Sequence, residues 1–203
     1  MKLSKCDFFK TEVGFLGHLI STTGIKKTPE YVEKIVNYQR PQTKGELREF
    51  LGLVNFQRKF LPNCSVIQHP LSYHTSGKRS KQLEWTEEMD KSFNNLKASM
   101  AEEIELAYPD YSINAEKLQL WVDASNFGAG AYLAQKQGDS HRVVGFASMM
   151  FSSTQLNYST LDRELCALRW GIKTFRPFLY GVPFLLYTDH QPLVHLHNMK
   201  LCK

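Results

Sequence analysis

This sequence predicts an α/β protein built in two successive parts, helical first and sheet-forming second. Between residues 28 and 101, apolar residues recur at the 3.6-residue spacing of helices, with proline and capping residues between the runs. From about residue 111 the spacing drops to two, and the order β-β-β-α-β-α argues for a mixed sheet with helices. Charge divides along similar lines. Residues 1–81 hold 14 Lys/Arg against 6 Asp/Glu, residues 82–110 hold 2 against 8, and residues 111–203 hold 9 against 6. A basic first segment fits a polyanionic partner; ordinary solvated surface is the other reading.

The elements follow in order. "EVGFLGHLISTTGI" (12–25) reads as a hairpin, an apolar run returning through a Ser-Thr-Thr-Gly turn. Thr28-Pro29 starts a helix that buries Val32, Ile35 and Val36 and ends before Pro41. Thr43 and Glu46 form a T-x-x-E capping box, opening a helix through Leu47, Phe50, Leu51 and Val54 that stops by Pro62. A shorter helix is expected around Ile67–Tyr73, then the polar, basic loop "TSGKRSKQ". Thr86 caps a helix carrying Met89, Phe93, Leu96 and Met100, with Glu87 and Glu88 in its favourable first turn. Strands are expected at 118–123, 128–135 and 143–149, a helix from Ser159 or Thr160 to about Phe178, a fourth strand at 184–189 and another helical turn from His190.

Composition excludes several classes. The 203 residues, 42% hydrophobic and 22% charged, suffice for one or two domains with a real core. No apolar run approaches a membrane span, and "MKLSKCDFFK" lacks the apolar core of a signal peptide. Cys6, Cys64, Cys166 and Cys202 lie far apart without a C-x-x-C, which argues against a zinc knuckle or a disulfide framework and fits a reducing compartment. "HLH" at 195–197 lacks further ligands and reads as surface or packing histidines rather than a metal pair.

Two sets of residues invite a chemical reading. Arg48, Gly52 and Phe56 are spaced i, i+4, i+8 and form one rail on the 47–61 helix. A mid-helix glycine costs about 1 kcal/mol relative to alanine and needs a reason. Helix packing is one; a nucleic-acid groove, with charge for phosphate, room for a strand and a flat ring for sugar or base, is the other. The second set is acidic. Asp123 ends the strand "LQLWVD" and Asp189 ends "LLYTD". With Leu161 at 0°, the stripe Leu161, Leu165, Leu168, Ile172 and Phe175 spans about −40° to +40°, Glu164 lies near −60° and Asp162 near 100°. Geometry thus selects Glu164 over Asp162 to join the strand carboxylates. Converging carboxylates suit Mg²⁺ in a two-metal nuclease; the plain alternative is that Asp123 and Asp189 start turns and Glu164 pairs with Arg163 or Lys173.

The blocks "KCDFFKTEVGFLGHLISTTGI", "TKGELREFLGLVNFQRKFLPN", "WTEEMDKSF", "VDASNFGAGAYLAQ", "FASMMFSSTQLNYSTLDRELCALRWGIKTFRPFLYG" and "YTDHQPL" resemble, in order, consecutive blocks of the Gypsy-type LTR-retrotransposon Pol polyprotein. The resemblance implies the end of a reverse-transcriptase palm at 1–25, whose primer-grip hairpin has Leu16, Gly17 and His18 at its tip. It implies a helical thumb at 26–81, with Arg48, Gly52 and Phe56 at positions that track a primer minor groove. An acidic helical connection follows at 82–110. Residues 111–203 correspond to an RNase H-like domain, incomplete at its C-terminus, with Asp123, Glu164 and Asp189 as metal-binding catalytic carboxylates. The implied activity is hydrolysis of the RNA strand of an RNA–DNA hybrid with Mg²⁺ or Mn²⁺, coupled in the full protein to RNA-directed DNA synthesis. Implied partners are an RNA–DNA hybrid or primer-template duplex and the remainder of Pol, with no membrane. The implied location is intracellular, in a cytoplasmic particle and the nucleus. The family's Y-x-D-D motif would precede Met1 and its fourth carboxylate would follow Lys203. The expectation is therefore no polymerisation by these residues alone and weakened hydrolysis; the alternative is a non-catalytic nucleic-acid-binding remnant.

Overall fold

The computed structural model describes residues 9–78 and 81–194; Cys6, Cys202 and the 195–197 histidines lie outside the described residues. Strands β1 (Glu12–Phe15), β2 (His18–Ser21) and β3 (Gly24–Lys27) form an antiparallel meander rather than one hairpin. The anticipated turn after Ser21 is present. A tighter one precedes it, with Leu16 and Gly17 both at positive φ (48° and 74°). Two left-handed residues match the twist of a two-residue hairpin, and glycine takes that conformation without steric cost. A further strand, β4 (Leu106–Ala107), pairs with β3; two residues are too few to show a period.

Helices α1 (Pro29–Val36), α2 (Lys44–Phe56), α3 (Cys64–Tyr73) and α4 (Glu87–Ala101) enclose the first core. The residues expected of α2 and α4 fill it: Leu47, Phe50 and Val54 meet Met89, Phe93 and Leu96, with the Phe50 and Phe93 rings 4.6 Å apart. Of the three α1 residues expected inside, only Ile35 is buried; Val32 and Val36 are partly exposed. Thr43 Oγ1 accepts from Glu46 N and Thr86 Oγ1 from Met89 N. Two caps differ from expectation. The Glu46 carboxylate accepts from Gln42 N, one residue before the N-cap, and Thr28 caps α1 by backbone alone. Beyond α2, a 3-10 turn (Arg58–Phe60) leads to Pro62.

The second part is a four-stranded sheet of β5 (Leu118–Ala124), β6 (Gly128–Gln137), β7 (Ser140–Met150) and β8 (Phe184–Tyr187). Its order is β7-β6-β5-β8, antiparallel except for the parallel β5–β8 pair. Short helix α5 (Ser153–Leu156) and the long α6 (Thr160–Thr174) follow β7, then α7 (Arg176–Leu179); α8 (Gln191–Val194) follows β8. The helix expected to reach Phe178 breaks at Phe175, where Pro177 opens a new turn. β8 stops at Tyr187, so Asp189 lies two residues past the strand rather than within it.

The packing face of α6 also departs from expectation. Its buried residues are Glu164, Ala167, Leu168 and Gly171, whereas Ile172 is exposed. The buried arc therefore centres on Glu164 instead of placing it at the edge. Small residues explain the rotation: a Cβ at Gly171 would come 2.9 Å from Val122 Cγ2, so the helix backbone lies directly on β5. A stripe drawn from large apolar residues alone does not register Ala and Gly.

The two parts are joined through β7. Ser148 O accepts from Ser65 Oγ (2.7 Å) and Arg58 Nη2 (2.5 Å), and Ser148 Oγ accepts from Ser65 N (2.8 Å). Glu105 adds an ion pair with Arg142 at 3.5 Å. The α6 contact gives a test. Gly171→Val is expected to destabilise the chain by about 1–3 kcal/mol through overpacking against Val122, read as a lower urea midpoint at unchanged slope.

Candidate metal centre and nucleic-acid interface

Register places two of the three carboxylates. Trp121 is opposite Tyr187 in the parallel pair, and Asp123 and Asp189 each lie two residues further on. Both chains run the same way, so both side chains arrive at one edge of the sheet. Below them Trp121 and Tyr187 stack, ring centroids 4.0 Å apart and planes within 7°. The third carboxylate comes from α6. Ser159 caps that helix, accepting from Asp162 N and donating to Asp162 Oδ2 at 2.6 Å. Asp162 is thereby occupied at the cap, and Glu164 reaches the strand ends.

One oxygen each of Asp123, Glu164 and Asp189 lies within 4.8 Å of the others. The strand aspartates are exposed; Glu164 is 4% exposed. Its Oε2 is buried without a hydrogen-bond partner among the described residues. Burial pushes the Glu164 carboxyl up to about 7, reinforced by Asp189 and Asp123 and opposed by Arg163. An all-oxygen donor set around a buried, unpartnered carboxylate fits a hard divalent cation such as Mg²⁺. A cavity of about 600 Å³ opens beside it, lined by Asp123, Asp189, Trp121, Tyr187 and, from the helical part, Pro62 and Asn63.

The residues expected to contact nucleic acid are only partly gathered. Leu16 is exposed at the hairpin tip. Gly17 O accepts from Gln57 Nε2 (2.9 Å) and Thr28 N (3.2 Å), and a Cβ at Gly17 would strike Tyr31 at 2.9 Å. The His18 ring stands 5.5 Å from Phe56 and 5.8 Å from Phe60. Burial, then Lys59, holds its pKa below the usual imidazole value. The tip and the half-exposed Phe56 thus form one surface. Gly52 is exposed one turn away, and a Cβ there would meet nothing within 4 Å among the described residues. That removes packing against the described residues as the reason for the glycine. Arg48 stands apart: its guanidinium donates to Thr75 O and Gly77 O, holding the loop after α3. Sequence reasoning missed Gln57, a fully buried clasp on the hairpin tip. Its signal was available, since it continues the Phe50, Val54 core spacing. Pro62 and Asn63 carried no signal, because only tertiary packing brings them to the acidic cavity.

Residues 114–203 match the family model of the RNase H-like domain found in reverse transcriptase. Over 98% of its length the chain is 40% identical to the retrovirus-related Pol polyprotein from transposon 297 of Drosophila melanogaster. The chain belongs to the Gypsy-type retrotransposon Pol polyprotein family. It spans 18% of that relative's length. Among solved structures, this Pol chain is similar to the foamy viral protease-reverse transcriptase in complex with dsDNA (TM-score 0.77, 28% identity, 95% of this chain and 39% of that one). It is also similar to the same viral protein in complex with RNA/DNA hybrid (TM-score 0.76, 27% identity, 94% and 26%). Among the described residues of the Pol chain, no helix is long and apolar enough to cross a membrane.

The raised Glu164 pKa sets a pH dependence. Between the ordinary carboxylate value and about 7, the folded metal-free chain holds a proton that the unfolded chain has released. Its stability is therefore expected to fall as pH rises from about 5 through 7, read by urea unfolding. Glu164→Gln should flatten that fall, and millimolar Mg²⁺ should reverse it.

Proposed function

We propose that this chain binds an RNA–DNA hybrid or primer-template duplex and hydrolyses the RNA strand of the hybrid at Asp123, Glu164 and Asp189. The observation that carries this reading is the convergence of the three carboxylates around a buried oxygen that lacks a partner. Three carboxylates repel one another unless cations sit between them. When bound, Mg²⁺ would supply neutralising charge at the scissile phosphate and a more acidic attacking water. Asp123 and Asp189 would hold the ions from the exposed side, and Glu164 would complete the donor set from the buried side, near the attacking water.

The same reading divides the chain into a palm end with a primer-grip-like hairpin (1–25), a thumb (26–81), an acidic connection (82–110) and an RNase H-like domain (111–203). The hairpin tip, Gly52 and Phe56 supply a duplex-binding surface, with Arg48 fixing the loop beside it. Such a chain works with the remainder of Pol, in a cytoplasmic particle and in the nucleus. The complexes of the similar foamy viral protein with dsDNA and with RNA/DNA hybrid support this choice of ligands.

Incubation with labelled hybrid and Mg²⁺ tests the site. Asp123→Asn is expected to reduce cleavage about 100-fold or more. Cleavage persisting at the wild-type rate overturns the assignment, and hybrid binding without cleavage by the wild type favours a non-catalytic role. Gly52→Leu tests the surface separately. It should leave stability unchanged or raise it by up to about 1 kcal/mol, since leucine is the better helix former. Duplex affinity should drop several-fold in a fluorescence-anisotropy titration at fixed salt.

A further inference from the structure

Ser148, Gly130 and Asp123 are directly opposite one another on β7, β6 and β5. They share the sheet face away from α6, because their neighbours Val122 and Ala131 contact Gly171 of that helix. Each does something different. Ser148 anchors the helical part through Ser65 and Arg58. Gly130 leaves a gap, and the Asn63 side chain fills it: a Cβ on Gly130 would lie 3.1 Å from Asn63 Oδ1. Asp123 is the carboxylate at the end of the row.

Asn63 itself is held oddly. Its backbone is left-handed (φ 53°, ψ 23°), a conformation that asparagine tolerates better than other side chains. It occupies the N-cap of α3, yet its side chain does not cap the helix. An asparagine at that position ordinarily accepts from the first-turn amides. Here the amide is exposed, makes no side-chain hydrogen bond to the described residues, and lines the cavity it shares with Asp123 and Asp189.

We infer that Asn63, reaching across from the helical part, contacts the nucleic-acid strand held at the three carboxylates and hydrogen-bonds a ribose 2′-hydroxyl there. The inference rests on the nuclease reading of the acidic site. The chemistry favours an amide for this task. A 2′-hydroxyl both donates and accepts, and a primary amide offers both functions without charge. A carboxylate would add repulsion against the phosphates, and an ammonium would grip them in RNA and DNA alike. The three hydrogen bonds at Ser148 keep Asn63 over the row, so its position follows the sheet.

Asn63→Gly tests this, because glycine keeps the left-handed backbone and removes only the amide. Two readouts are taken on an RNA–DNA hybrid: cleavage in Mg²⁺, and affinity in Ca²⁺, which needs no turnover. A set of hybrids, each with a single 2′-deoxynucleotide along the RNA strand, is compared with the all-ribose hybrid. Asn63→Gly is expected to weaken the all-ribose hybrid by about three- to tenfold, the size of one lost neutral hydrogen bond. For one deoxy position, wild type and variant should become equal. Equal behaviour of wild type and Asn63→Gly on the all-ribose hybrid overturns the inference. So does an equal loss on every deoxy-substituted hybrid, which would mark a structural or phosphate role. Asp123→Asn separates the two readings: full cleavage by that variant removes the nuclease assignment, while the Ca²⁺ affinities still decide the part played by Asn63.

Discussion

The parallel pairing of β5 with β8 is the constraint on which the acidic site depends. An antiparallel partner would have carried Asp189 to the opposite edge of the sheet from Asp123. Parallel strands need a long crossover, and here it runs through β6, β7 and α5–α7, so the returning helix α6 lies across the same sheet. Gly171 then lets that helix settle onto Val122, which carries Glu164 into a buried position at the strand ends. Like charges are costly to gather, and the apolar contact of α6 with β5 and β6 holds them there against their repulsion.

Much of this was legible in the sequence because large apolar residues at regular spacing report a face directly. The α2 and α4 stripes are of that kind, as are Asp123 and Asp189 at the ends of their apolar runs. What failed depends on small or polar residues. On α6, Ala167 and Gly171 bury by closeness rather than by hydrophobicity, so a stripe of large apolar residues points to the wrong face. In the first sheet, Leu16-Gly17 is too short a turn to stand out inside an apolar run, so the run reads as one hairpin. Arg48 was legible as a helix-face cation, but its grip on Thr75 and Gly77 depends on how the chain returns after α3. The Gly52 ambiguity could be decided only by knowing what surrounds it.

The helical part and the sheet are in contact through polar groups. Ser65 and Ser148 are both buried, and their hydroxyls and backbone groups satisfy one another with help from Arg58. Buried polar pairs fix register more sharply than apolar surfaces, which slide at little cost. The spacing between the hairpin tip and the carboxylates is therefore set largely on β7, at Ser148 and, further back along the strand, at Arg142.

The β3–β4 pairing has a consequence for how this chain is made. β4 joins the first sheet from beyond all four helices, and it is held there also by Thr23 on Glu105, Lys27 on the Glu102 carbonyl and Tyr108 on the Ser21 carbonyl. Closing so long a loop is slow and entropically expensive. On the ribosome β3 emerges well before β4, so the edge of β3 that β4 covers stays open until residue 107 has been made and the four helices between them can pack.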